Sequence, residues 1–482
     1  MSATETAEKL YGTDVTEDRR RDALRTGRVP VAVYGLGKMG LPLAAAYAEA
    51  TGNVTGVDVD DEVVRSVNDG ECHVGGEPGL AELVWQTVTD DAFEATTAGK
   101  EAAAEASVHV VIVPTLVDDD EPDLSIVEDV AADVAAGLEP GDLVVFESTL
   151  PPRTCRDVLL PLLEERSGLR LGEFGLAFCP ERTSSGRALA DIRGAHPKIV
   201  GGADAESARA AELIYGEITD NDVVRVSDAT TAESVKVFEG VYRDVNIALA
   251  NELARHGDRL GIDVVEAIEA ANGQPYCDIH DPGAGVGGHC IPYYPHFLIE
   301  PFDADSRLME TARDVNEAMP GYTAELALDG LHAEGIDPAD ADVLVMGLTY
   351  RPGVAEIRAT PALPAIERLD DAGATVHAVD PVLDEYEAFR DAGASIVAAD
   401  RLAASRIASG AVGEEMTLPS PSYDAVVLVT AQEQFERIDV PELGGDPEGE
   451  ADGRLVVVDG RQALTELRGD GRVRYEGVGL DG

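Results

Sequence analysis

Cys290 is the single cysteine of the segment Gly285-Val-Gly-Gly-His-Cys-Ile-Pro292, which a proline closes two residues later. Glycines let backbone approach a ligand closely and reach positive φ without steric cost. A cysteine presented on such a turn is a candidate nucleophile, because a thiolate attacks carbonyl carbon once a neighbour lowers its pKa. The same local residues also fit a buried cysteine beside a Gly-rich turn. Lys236 is a second reactive candidate. Only Lys9, Lys38, Lys100, Lys198 and Lys236 are lysines, and arginine carries most of the positive charge. A lysine kept where arginine would serve as a solvated cation points to a compact or titratable ammonium, with an incidental surface lysine as the plain alternative. A third candidate is the carboxylate of Glu181, in Cys179-Pro-Glu181 after an apolar run.

These groups need a scaffold, and the first piece of it is Val31-Ala-Val-Tyr34, Gly35-Leu36-Gly37-Lys38-Met39-Gly40-Leu-Pro, a helix-like stretch from Leu43 to Ala50, and Val54-Thr-Gly-Val-Asp58. This reads as strand, Gly-rich turn, helix, strand and terminal acid. The first glycine permits the tight turn, the second lets backbone reach a pyrophosphate, and the third lets helix and strand pack closely. Free N–H groups at the helix start favour the anion. Asp58 stands where an acid bonds the adenine ribose, which favours NAD over NADP. Further apolar runs, Val108 to Pro114, Leu143 to Phe146, Leu176 to Phe178 and Lys198 to Val200, end in Pro114-Thr115, Glu147-Ser-Thr149, Cys179-Pro-Glu181 and Gly201-Gly202. In an open parallel sheet, ligands sit beyond the carboxyl ends of strands. That gathers Thr115, Thr149 and Glu181 around one crevice, although both threonines also suit ordinary loops.

From about Ala229 to Asp258 the pattern is helical, with Val235, Phe238, Tyr242, Val245, Leu249 and Leu253 spaced at three and four. Such a helix suits a connector between domains or a dimer core. After Pro320 a second α/β unit follows, with strand-like runs at 342–348, 375–380, 425–430 and 455–459. Residues 403–422 and 444–453 read as polar, flexible insertions. The expected fold class is α/β: two Rossmann-like, doubly wound parallel-sheet domains joined by a central helical domain with a long connecting helix.

The 482 residues allow two to four domains with sizeable cores. No run of about 18 apolar residues occurs, and residues 1–28 are polar, without an apolar signal-peptide core. They read as a frayed extension or short helical arm, and the expectation is a cytoplasmic protein. A net charge of −55 matches surfaces that halophiles use where salt screens self-repulsion. It makes nucleic acid and acidic membranes poor partners, and it reports habitat, not activity. Five cysteines without a CxxC pair argue against a disulfide framework. Cys277, His280, His289, Cys290 and His296 could be metal ligands, but their spacing matches no common zinc pattern, so no metal is expected.

A nucleotide site, a nucleophilic cysteine, an ammonium and a carboxylate together suit oxidation of an alcohol past the aldehyde. The cysteine traps the aldehyde, the ammonium stabilises the tetrahedral oxyanions, and the glutamate activates or holds the water. The motifs GLGKMGLP, VPT (Val113 to Thr115), EST (Glu147 to Thr149), CPER (Cys179 to Arg182), VKVFEGVYRDVNIALANE (Val235 to Glu252), GVGGHCIP and GLTYRPGVAEIR (Gly347 to Arg358) resemble the nucleotide-sugar 6-dehydrogenases, the UDP-glucose/UDP-N-acetylmannosamine dehydrogenase family. The resemblance runs from Val31 to the C-terminus. After the polar extension over 1–28, it implies an NAD domain over 29–226, a helical dimerisation and catalytic domain over 227–325, and a UDP-binding domain over 326–482. It also implies two NAD consumed per UDP-sugar, and a homodimer or higher oligomer.

By position, Cys290 resembles the family nucleophile, Lys236 the catalytic lysine and Glu181 the acid/base glutamate. Arg182, Thr183, Arg243, Gly287, Arg351 and Arg461 match substrate-binding positions, and Arg358 an arginine that reaches NAD. For Arg351 and Arg461 a surface salt bridge is the alternative. CPER, HCIP and YRDVNIALANE resemble the N-acetyl-hexosamine branch, so UDP-N-acetyl-D-mannosamine is favoured, then UDP-N-acetylglucosamine and UDP-glucose. Two positions depart from the family pattern: Gly240 where asparagine is usual, and Tyr294 where aspartate is usual. Gly240 is expected to make room for an acetamido group or a water. These departures keep open a catalytically impaired NAD- and UDP-sugar-binding protein, and the scaffold alone also suits a two-electron alcohol dehydrogenase or an epimerase.

Overall fold

Helices cover both sides of a parallel sheet, so its strands are buried on both faces, and the apolar tetrapeptides read from the sequence behave this way. The computed structural model describes residues 8–118, 121–184, 186–399, 422–444 and 454–480. The chain divides into two compact units, residues 1–239 with 296–303 and residues 240–295 with 304–482.

The first unit contains β1 (Val31–Tyr34), β2 (Val54–Val57), β3 (Phe93–Thr96), β4 (Val108–Val111), the hairpin β5 (Leu116–Asp118) and β6 (Glu121–Asp123), then β7 (Leu143–Phe146), β8 (Gly175–Phe178), β9 (Lys198–Gly202) and β10 (Val223–Arg225). Apart from the hairpin they form one sheet in the order β3-β2-β1-β4-β7-β8-β9-β10. The first six are parallel in the Rossmann order, two βαβ halves meeting at β1 and β4. β9 is different: it pairs antiparallel with β8, Phe178 opposite Gly201. A parallel return needs a crossover connection, usually a helix, and the chain between β8 and β9 has only the short turns Ala188–Ala190 and Asp191–Ala195 among its described residues. The sequence reading takes this strand as parallel, with Gly201-Gly202 at the ligand edge. The reversal instead brings Lys198, the first residue of β9, to the side where β7 and β8 end.

Residues 8–28 are not frayed. The helix Glu17–Arg25 follows Leu10 and Tyr11, and Leu10 and Leu24 are fully buried. Lys9 Nζ donates to the buried Asp142 at 2.6 Å, and the Tyr11 hydroxyl donates to Asp204 at 2.7 Å. Arg20 pairs with Glu206, and Arg21 and Arg25 with Glu217.

The second unit holds β11 (Asp342–Met346), β12 (Thr375–Val379), β13 (Ser395–Ile396), β14 (Ala425–Leu428), β15 (Leu455–Asp459) and β16 (Val473–Gly477). All run parallel in the order β13-β12-β11-β14-β15-β16, the Rossmann order again. The helix Arg307–Ala333 lies so close to this sheet that a Cβ on Gly330 would stand 2.5 Å from Val456. The insertions expected at 403–422 and 444–453 lie, except for Ser422 and Gly444, outside the described residues.

The long helix is Ala229–Ala254, ending four residues before the expected point. Its buried residues are Ala229, Ala232, Glu233, Val237, Gly240, Asp244, Ala248, Ala250, Asn251 and Ala254. The apolar stripe read from the sequence points elsewhere: Phe238, Tyr242 and Leu249 are 57%, 52% and 49% exposed. Among the described residues, no helix is long and apolar enough to cross a membrane.

Candidate active site

The residues singled out from the sequence fall into two groups, one on each unit. In the first unit the Gly-rich turn links β1 to the helix Gly40–Thr51, and its glycines answer three different constraints. Gly35 has φ of +97°, and a Cβ there would lie 2.3 Å from the carbonyl oxygen of Ile112. A Cβ on Gly40 would lie 1.9 Å from the carbonyl oxygen of Gly35. Gly37 faces open space, as a backbone that must meet a pyrophosphate requires. The Leu36 N–H donates to Asp58 Oδ2 at 2.8 Å, which fixes that carboxylate at the end of β2. Leu36 is fully buried, Lys38 is exposed, and the Met39 sulfur accepts a hydrogen bond from the Thr183 hydroxyl at 3.0 Å. Beyond β4, the buried Oγ1 of Thr115 has no partner, an orphaned donor that suits a bound ligand. Thr149 is half-buried beyond β7, and Ser148 beside it both donates to and accepts from the backbone of Val113. The turn, its acid and the orphaned hydroxyl fit NAD.

Glu181 lies beyond the end of β8 and is 6% exposed. Its Oε1 accepts the Thr183 N–H at 2.7 Å, its Oε2 is 3.5 Å from Lys198 Nζ, and its backbone carbonyl accepts from Lys236 Nζ. Burial alone would raise its pKa. The charges of Lys198 and Lys236 and the bond from Thr183 outweigh that and hold it below the ordinary carboxylate range. Arg182 reaches across to Glu239 at 2.8 Å and to the carbonyl of Pro197. Glu181, Arg182, Thr183, Lys198 and Tyr215 line one cleft. Lys198 is the lining residue that sequence reasoning missed, together with Glu147, its buried partner outside the lining. Their signals were present, in a sparse lysine and in the acid of the EST motif, but the assumed direction of β9 kept Lys198 from this edge.

In the second unit Cys290 is exposed, so the buried-cysteine alternative does not hold. Its loop is anchored by its glycines. Gly288 has φ of +95° and donates its N–H to the Arg358 carbonyl at 2.9 Å. A Cβ on Gly287 would meet the Ala359 carbonyl oxygen at 2.5 Å and Tyr350 at 2.8 Å. His289 pairs with Glu356 at 3.2 Å. The Cys290 carbonyl accepts the N–H groups of Tyr293 at 3.2 Å and Tyr294 at 3.0 Å. Tyr294 is 7% exposed, and its ring occupies the space over Gly240, where a Cβ would lie 2.1 Å from Cδ2. The room expected at Gly240 for an acetamido group or a water is therefore filled by Tyr294.

Arg243 and Arg351 are exposed, and Arg358 is half-buried. The Arg461 guanidinium bonds to backbone, through Nε to the Val429 carbonyl at 2.8 Å and toward the Gly285 carbonyl at 3.5 Å. Burial lowers its pKa. It is not a surface salt bridge. Among the described residues, no group of three or more His, Cys, Asp or Glu is arranged to hold a metal ion.

The chain is similar to known proteins in sequence and in fold. Three profiles of the UDP-glucose/GDP-mannose dehydrogenase family match in chain order: the NAD binding domain over residues 29–219, the central domain over 230–318 and the UDP binding domain over 344–466. A UDP-N-acetyl-D-mannosamine dehydrogenase from Pyrococcus horikoshii is 33% identical over 449 residues, covering 92% of this chain and 99% of its own. An NDP-N-acetyl-D-galactosaminuronic acid dehydrogenase from Ralstonia solanacearum is also 33% identical, over 86% of this chain and 93% of its own. The solved structure of a UDP-D-ManNAc dehydrogenase from Pyrococcus horikoshii superposes with a TM-score of 0.80 at 32% identity, covering 94% of this chain and all of the other. Matched along nearly its whole length in sequence and in fold, the chain belongs to the UDP-glucose/GDP-mannose dehydrogenase family of NAD-dependent oxidoreductases.

Proposed function

We propose that this protein oxidises the C6 hydroxymethyl of UDP-N-acetyl-D-mannosamine to the uronic acid, with Cys290 as covalent nucleophile. The observation that carries the chemistry is an exposed cysteine on a glycine-anchored loop, in a chain that also has the NAD fingerprint. The sugar is supported by the names of the relatives above, which act on N-acetylated hexosamine nucleotides. NAD supplies the hydride acceptor for both oxidations. The first oxidation turns the alcohol into an aldehyde, and the Cys290 thiolate adds to its carbonyl carbon to give a thiohemiacetal. Loss of a second hydride leaves a thioester. Water then cleaves the thioester, returning the thiol and releasing the carboxylate, so one sugar and one water yield two NADH.

In this reading the Lys236 ammonium balances charge on the oxyanion of each tetrahedral state. Glu181 takes a proton from the attacking water. Arg182, Thr183, Arg243, Gly287, Arg351 and Arg461 hold the UDP-sugar, and Thr115, Thr149 and Arg358 join the turn Gly35 to Gly40 and Asp58 around NAD. The exposed stripe Phe238, Tyr242 and Leu249 supports a homodimer through the long helix. The net charge of −55 supports a salt-rich cytoplasm, where the product would supply surface polysaccharide synthesis.

The test is the NADH formed per mole of limiting sugar, in molar KCl, with UDP-N-acetylmannosamine, UDP-N-acetylglucosamine and UDP-glucose offered separately. Two NADH with the first sugar, and the highest kcat/KM for it, is the expected result. One NADH would refute the four-electron reaction. No NADH with any of them, despite NAD binding, would favour a binding protein.

A further inference from the structure

Two buried carboxylates share one ammonium where β7 and β8 end. Glu147 directly follows β7 and is fully buried. Lys198 Nζ donates to Glu147 Oε2 at 2.6 Å but stands 3.5 Å from Glu181 Oε2. The Tyr215 hydroxyl donates to the other oxygen of Glu147, and its ring lies beside the same ammonium, 4.6 Å from Nζ to the centroid. Glu181, Lys198 and Tyr215 line the cleft, whereas Glu147 is not among its lining residues. The antiparallel entry of β9 creates this arrangement.

We propose that Lys198, clamped by Glu147 and Tyr215, is a positioning residue for Glu181, and that Glu147 sets how much of the Lys198 charge Glu181 must share. The proposal rests on the reading of Glu181 as the residue that activates the hydrolytic water. While Glu147 is ionised, its short bond satisfies Lys198 and leaves Glu181 the stronger base toward the water. When Glu147 is protonated, the ammonium loses its close partner and falls to Glu181, which becomes a weaker base. Burial, helped by the charge of Glu181 and opposed by Lys198 and Tyr215, pushes Glu147 up to about 7. Lys198 stays charged, because Glu147 and Glu181 outweigh the cost of its burial. Of the other titratable and charged neighbours, burial raises Tyr47, Cys179 and Tyr215, Lys236 faces Glu181 from the long helix, and Arg182, Asp191 and His196 line the same cleft. Hydrolysis should therefore rise with pH through about 7, governed by a residue that does not touch substrate.

Rapid-quench single turnovers across pH 5.5–9, with NADH formation and uronate release followed separately, test this. Glu147→Gln should lose the inflection and release uronate at least about tenfold more slowly at pH 8, with the first NADH unaffected. Tyr215→Phe removes one bond that favours ionised Glu147, so its inflection should move to higher pH. Lys198→Arg should keep part of the rate that Lys198→Met loses. If Glu147→Gln and Tyr215→Phe, with wild-type melting and NAD affinity, keep the wild-type profile, the proposal is overturned. If Glu147→Gln does not fold, Tyr215→Phe decides alone. Glu181→Gln separates the two layers. Normal release by that variant overturns the role of Glu181 itself, whereas slow release beside an unshifted Tyr215→Phe profile overturns only the positioning role.

Discussion

A methyl group on Gly240 would stand 2.1 Å from Tyr294 Cδ2, and the backbone of Tyr294 is bonded to the carbonyl of Cys290. The two departures from the family pattern are thus one packed pair and not two vacancies. Gly240→Ala should destabilise the protein by about 1–3 kcal/mol, the usual cost of overpacking. In a Tyr294→Ala background the same change should cost less than about 0.5 kcal/mol. Urea unfolding of the four proteins measures this, and equal costs in both backgrounds would contradict the packing. The fingerprint glycines also separate by mechanism. Gly40→Ala forces a Cβ against the Gly35 carbonyl and should lower both the melting temperature and NAD affinity. Gly37→Ala meets nothing in the protein, so it should melt within about 2 °C of wild type, a shift of no more than about 1 kcal/mol. It should still weaken NAD at least about tenfold, a loss of about 1.4 kcal/mol. Melting curves and titration calorimetry give both readings, and indistinguishable melting of the two variants would refute the distinction.

The NAD turn and the central strands were legible because their signals are local: apolar runs that β1, β4, β7 and β11 bury on both faces, and glycines at fixed offsets, whereas the shorter or more polar β3, β5, β6, β10, β13 and β16 were not read. The direction of β9 was not, since an apolar run reads alike either way and only its connection and partner register decide. That one reversal determines the environment of Glu181. The docking of residues 8–28 was equally hidden, because Lys9, Tyr11 and Arg20 find their partners at Asp142, Asp204 and Glu206, far along the chain. In the long helix the apolar periodicity was read correctly as a stripe, but the buried face is made of smaller and polar residues, leaving Phe238, Tyr242 and Leu249 exposed. A stripe of this kind on a charged surface suits a partner copy. If the stripe seats a second copy as proposed, Phe238→Glu with Leu249→Glu should sediment as a monomer where the wild type sediments as a dimer. An unchanged sedimentation coefficient would place the interface elsewhere.

Over the whole molecule, a charge of −55 sets the conditions under which everything else is observed. Screening lengths shrink from about 10 Å at 0.1 M salt to about 3 Å at 1 M, so repulsion among surface acids fades while buried pairs such as Asp244–Arg313 and Glu147–Lys198 keep their attraction. The melting temperature should rise by more than about 10 °C between 0.1 and 2 M KCl, a flat response being evidence against salt adaptation. Within that salt range, the measurement that bears most directly on the cysteine mechanism is peptide mass spectrometry of Glu181→Gln, acid-quenched during turnover with NAD and UDP-N-acetylmannosamine. The account predicts a uronyl thioester on the peptide containing Cys290, and no uronic acid from Cys290→Ala. An unmodified Cys290 peptide, together with two NADH per sugar from Cys290→Ala, would contradict it.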